Sequence, residues 1–75
     1  MPKQAQATNA VYRVTEIIGT SANSWEDAAK NAVETASRTL RDLRVAEIAK
    51  LDVTVKNGKV WAFRARVLLS FKYGS

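Results

Sequence analysis

Seven acidic side chains, with no histidine and no cysteine, make up the acid–base and metal-ligating inventory of this 75-residue chain. Without imidazole or thiolate, the commonest general base, the best nucleophile and the usual zinc and iron ligands are missing, which argues against an enzyme. Helix polarity accounts for Glu26, Asp27 and Glu34, and a helix exit accounts for Asp42. That leaves Glu16, Glu47 and Asp52 on strand-like segments, where a carboxylate is normally solvated or paired across the sheet. Gly19, Gly58 and Gly74 punctuate elements and form no phosphate-binding loop. Tyr12, Trp25, Phe63 and Phe71 suit core or interface positions. Trp61 differs, because Lys56, Lys59 and Arg64 stand close to it in sequence. An indole face among cations can stack a planar anionic ligand or a base, and it can equally anchor a subunit contact.

The element that must position these residues is a long β-hairpin from Arg44 to Tyr73. Lys56-Asn57-Gly58-Lys59 marks its tip, since Asn and Gly accept the positive φ of both central positions of a type I′ turn. After the turn, Trp61, Phe63, Ala65, Val67, Leu69, Phe71 and Tyr73 alternate without a break against Val60, Ala62, Arg64, Arg66, Leu68, Ser70 and Lys72. A period of two predicts a third strand with one apolar and one mostly polar face. Upstream, the β-branched and aromatic run Val11 to Ile18 predicts a first strand that Gly19 ends. Ser24 with Asp27 three residues later is a variant capping box, so a helix opens at Trp25. Trp25, Ala28, Ala29, Ala32, Val33, Ala36 and Leu40 share one helical face, thin enough to sit close to a sheet. Glu26–Lys30 and Glu34–Arg38 add i,i+4 pairs in the favourable order. The helix is expected to span roughly seventeen residues, or about 25 Å. Arg41-Asp42-Leu43 then leads into a second strand, Arg44 to about Val55.

The order is β-α-β-β, and the class is α+β: a three-stranded antiparallel sheet packed on one helix, with the first strand pairing with the third. One domain spans residues 10–75, and the polar segment 1–9 reads as a flexible tail. A strand from Lys59 to Tyr73 would run roughly 50 Å, about twice the reach of the helix. The uncovered half of its apolar face, in a chain with no disulfides to support a small core, predicts self-association. There is no apolar run of the ~18 residues a membrane helix needs, and the reading is a cytoplasmic protein without membrane contact. A net charge of +5 suits solubility. It permits contact with nucleic acid, but no RNA or DNA motif is present and charge excess alone is poor evidence.

Several segments carry a resemblance over nearly all of Val11 to Tyr73. They are Val11-Tyr12-Arg13-Val14 through Ile17-Ile18-Gly19-Thr20-Ser21, Ser24-Trp25-Glu26-Asp27-Ala28, Thr39-Leu40-Arg41-Asp42-Leu43-Arg44-Val45-Ala46-Glu47 and Val67-Leu68-Leu69-Ser70-Phe71. In order and spacing they resemble the dodecin family. The resemblance implies β-α-β-β subunits assembled as a hollow dodecamer that binds a small-molecule ligand. Flavin-binding members sandwich stacked flavins between tryptophans of symmetry-related subunits, with a glutamine of the last strand bonded to the ring. Val45 takes the place of that tryptophan and Arg64 that of the glutamine. Val45, Arg64 and the adjoining Arg44 are therefore the implied residues for FMN or riboflavin, with the stacking face lost. Members that also carry Arg-Val-Ala after the helix are associated with calcium. A hard cation takes carboxylate and carbonyl oxygens, and Glu47 and Asp52 are the best-placed candidates. Three readings stand: a ligand-sequestering shell with flavin as the family default, a calcium-binding or purely structural shell, and a basic nucleic-acid module using Lys56, Lys59, Trp61 and Arg64.

Overall fold

A computed structural model of the protein describes residues 10–72. The tail expected over residues 1–9 and the end of the third strand at Tyr73 lie outside the described residues. The elements are β1 (Tyr12–Ser21), α1 (Trp25–Ser37), β2 (Leu43–Lys56) and β3 (Lys59–Lys72). β3 is central, the order is β1-β3-β2, and both pairings are antiparallel. This is the expected α+β arrangement, with α1 against one sheet face.

Local chemistry explains the helix start. Ser24 Oγ accepts the Asp27 amide at 3.0 Å. The Asp27 carboxylate does not return to the Ser24 amide. It accepts the Ser21 hydroxyl at 2.7 Å, and Ser21 Oγ in turn accepts the Asn23 amide at 2.9 Å. The end of β1 and the first turn of α1 are thus tied by one hydroxyl–carboxylate bond.

Three expectations are corrected. Gly19 does not end β1 but lies inside it, opposite Ala65. A Cβ there would sit 2.1 Å from the Ala28 carbonyl oxygen and 2.8 Å from Ala32 Cβ. Glycine is therefore required by the close passage of α1, not by a turn. The helix is also shorter than expected, with 13 residues ending at Ser37. Its last turn tightens, the Arg38 and Thr39 amides donating to the Thr35 and Ala36 carbonyls, while Ser37 Oγ donates to the Val33 carbonyl at 2.8 Å. Hydroxyls compete with amides for the last carbonyls and favour termination. Lastly, the period-two alternation expected along β3 holds where Ala65, Val67 and Leu69 are buried and is broken at Trp61, and β2 carries two further irregularities. The register shifts between Leu43 and Val45, between Ile48 and Lys50, and between Thr54 and Val55, so Arg44, Ala49 and Trp61 lack direct cross-strand partners. The turn itself follows expectation, with φ of 54° at Asn57 and 74° at Gly58.

The buried apolar core is small: Ala28 and Ala32 of α1 on Ala65, Val67 and Leu69 of β3. Ile17, Ala29, Val33, Ala36, Leu40 and Leu43 pack around it. Alanine meeting glycine and alanine lets the helix sit low on β1 and β3. β2 is left mostly uncovered, with Ile48, Leu51 and Val55 exposed.

Candidate functional site

The face of the sheet away from α1 collects the residues that the sequence singled out. Residues directly opposite one another in an antiparallel pair share a face, and Ala65, Val67 and Leu69 define the helix side. The other side therefore presents successive rows: Val14, Ser70 and Val45; then Glu16, Leu68 and Glu47; then Ile18, Arg66 and Lys50; then Thr20, Arg64 and Asp52. Glu47 and Asp52 differ in parity and would point to opposite faces of a regular strand. The irregularity at Ala49 puts both on this one.

Two ion pairs lie along these rows. Arg64 grips Asp52 side-on, Nε to Oδ1 at 2.7 Å and Nη2 to Oδ2 at 2.9 Å. Hydrogen bonds from Arg64 hold the Asp52 carboxyl below its ordinary value, against a smaller desolvation effect, with the positive charges of Arg64 and Arg66 adding to the shift. The same pair raises the Arg64 guanidinium above its ordinary value. Arg66 Nη1 donates to Glu16 Oε2 at 3.3 Å. Asp52 is fixed from behind as well, since Trp25 Nε1 donates to its carbonyl oxygen at 3.0 Å. Trp25 also meets Phe63 edge to face, with ring centroids 5.1 Å apart. Nothing in the sequence pattern announced that Trp25 reaches β2. The only available signal was its place at the start of a helix lying over the sheet.

Within one chain the family-implied flavin residues are not brought together. Val45 is opposite Ser70 and Arg64 lies six positions back along β3, roughly 20 Å at about 3.3 Å per residue. Val45 is exposed and offers apolar surface without a π system. The neighbouring Arg44 lies within 3.9 Å of Asp42, whose φ of 58° makes the bend into β2. The pair of carboxylates weighed for a cation, Glu47 and Asp52, stand four β3 positions apart, about 13 Å. Among the described residues no three acidic side chains gather closely enough to hold a metal ion. Of the basic residues expected around Trp61, the structure brings Lys56 to the ring and takes Arg64 to Asp52. No helix among the described residues is long and apolar enough to cross a membrane.

The family model described as Dodecin matches residues 11–74. The chain is 42% identical over 62 residues to the calcium dodecin of Mycobacterium tuberculosis, covering 83% of this chain and 87% of that protein. Among solved structures, the dodecin of Streptomyces coelicolor superposes with a TM-score of 0.82 at 35% identity, covering 91% of this chain and 97% of its own. The Mycobacterium tuberculosis calcium dodecin, described as a calcium chelating antigen with a novel calcium-binding site, superposes with a TM-score of 0.76 at 41% identity, covering 85% and 91%.

Proposed function

The chain belongs to the dodecin family, and on that premise we propose that it is a cytoplasmic small-ligand-binding and sequestering protein, working as the subunit of a hollow homododecamer. It binds and does not convert its ligand. The observation that carries this reading is the separation of Val45 from Arg64 on one open face, about 20 Å within a chain. A pocket that uses both takes Val45 from one subunit and Arg64 from another, so the site depends on assembly. Flavin fits this face weakly, because Val45 cannot stack and Asp52 already takes two of the Arg64 donors.

A second reading is favoured by the 42% identity to a calcium dodecin and by the shared face of Glu16, Glu47 and Asp52. In it the ligand is calcium, bound through carboxylate and carbonyl oxygens contributed by more than one subunit. One preparation tests both. The protein is purified without added ligand, its visible absorbance and calcium content are measured, and riboflavin, FMN and calcium are titrated into it. Stoichiometric calcium favours the second reading, and a flavin spectrum with fluorescence quenching favours the flavin default. Failure to bind any of the three would overturn the proposed ligand-binding role.

A further inference from the structure

The tip of the β2–β3 hairpin carries a constellation that the open face does not use. Lys56 and Lys59 are direct cross-strand partners on either side of the Asn57-Gly58 turn. Like charges directly opposite one another repel. The acid nearest in sequence gives no relief, since Asp52 is engaged by Arg64. Beside this pair, the register passes from Thr54–Ala62 to Val55–Val60 and leaves Trp61 as the extra residue of β3. A bulge bends its strand and re-aims a side chain. Trp61 is 61% exposed, although it is the largest side chain type available to a core this small. Lys56 Nζ lies 4.4 Å from its ring centroid. Lys56, Asn57, Lys59, Val60 and Trp61 line an open recess of about 460 Å³.

From this geometry we infer that the hairpin tip is a binding site for a nucleoside phosphate, with the base stacked on Trp61 and the phosphate neutralised by Lys56 and Lys59. Each part alone is unselective. An exposed indole accepts many aromatic rings, and a lysine pair accepts many anions. Together in one recess they select a planar ring joined to an anion. Lys56 covers one face of the indole, which leaves the other as the stacking surface, and ligand phosphate relieves the repulsion across the turn. The site is independent of Val45 and Arg64, so it stands or falls apart from the function proposed above. The nucleoside phosphate can be free or part of a single strand. A strand that engages several subunit tips gains affinity through effective concentration, whereas a free nucleotide cannot.

The test uses the intact protein in equilibrium dialysis against AMP, inorganic phosphate and a short single-stranded oligoadenylate, with tryptophan fluorescence as a second readout. AMP is expected to bind saturably and quench wild-type emission, with phosphate alone at least about tenfold weaker because it cannot stack. Trp61→Ala and the double change Lys56→Gln with Lys59→Gln should each weaken AMP about tenfold or more at unchanged oligomer size, and Trp61→Phe should retain binding in dialysis. Equal affinity per site for AMP and the oligomer identifies the free nucleotide, and a much tighter oligomer identifies the single strand. Phosphate binding as tightly as AMP overturns the inference, as does absence of saturable binding. If Trp61→Ala or Trp61→Phe disrupts the assembly, the lysine double change decides: unaltered AMP binding there, with Trp61 needed only for oligomer size, makes the tryptophan a subunit anchor and refutes the site.

Discussion

Arg64 shows how one side chain bears on the ligand site proposed for the open face. Its guanidinium donates and never accepts, and the side-on grip of Asp52 uses two of its donors. Because the folded Asp52 carboxyl lies below its ordinary value, the pair stabilises the fold above the unfolded carboxylate pKa near 4 and is lost as pH falls through the lower folded value. Asp52→Asn should therefore flatten the acid limb of the stability profile below about pH 4, followed by thermal melts across pH 2–6. The effect is small, because both groups are partly in water. An identical acid dependence in the variant would remove the pair from the stability account. Val45 is the complementary case. In the proposed intersubunit pocket Val45→Trp would place an aromatic plate on both sides, and stacking worth about 1–3 kcal/mol per ring should raise riboflavin affinity roughly tenfold or more. Adding Arg64→Gln, which supplies an acceptor as well as donors, should improve on the single change in a fluorescence-quenching titration. No gain in either variant would mean that this face is not built for flavin.

At the scale of elements, two glycines do different work. Gly19 lies in β1 beneath α1, where a Cβ would be forced against the Ala28 carbonyl oxygen and Ala32. Backbone cannot swing aside as a side chain can, so Gly19→Ala should cost at least about 2 kcal/mol and lower the denaturant midpoint. A change within error would show that the helix lifts freely from the sheet. Gly58, by contrast, has open space where its Cβ would be and a φ of 74°. Its requirement is conformational alone. Gly58→Val should cost more than about 1 kcal/mol, because a β-branched residue resists the left-handed region. An unchanged melting temperature would show that the hairpin tolerates another turn type. The helix itself is too short to cover the hairpin. Its 13 residues reach about 20 Å, whereas the described chain is 57 Å long.

For the whole molecule that mismatch sets the expected assembly. The radius of gyration is 15.6 Å, against about 11 Å for a compact domain of this length. Ile48 and Leu51 flank an apolar groove beside Trp25 and Ala29, and Val55, Val60 and Trp61 are exposed beyond it. Among the described residues, five buried apolar ones form too small a core to hold such a shape alone. Light scattering on the size-exclusion peak should report an oligomer near a dodecamer that persists at micromolar protein. A clean monomer would defeat both the surface argument and the proposed ligand pocket.

Features with local causes were legible in the sequence. The Asn57-Gly58 turn, the Ser24 cap, the period-two run of β3 and the alanine face of α1 each depend on neighbours a few residues away. The strand-to-strand order followed from them, and so did the family, whose motifs are contiguous. What only the tertiary structure decided depends on distant contacts. Gly19 reads as a strand end until α1 is laid across it. Glu47 and Asp52 have opposite parity until the irregularity at Ala49 turns them to one face, and Trp61 looks like one more member of the apolar stripe until its bulge takes it out to Lys56. Arg64 stands three residues from Trp61 in sequence, yet it pairs with Asp52, twelve residues away, because the register puts that carboxylate directly opposite. A single inserted residue reverses the facing of everything after it. Periodicity reports how side chains alternate, and only the pairing of strands reports where the alternation is broken.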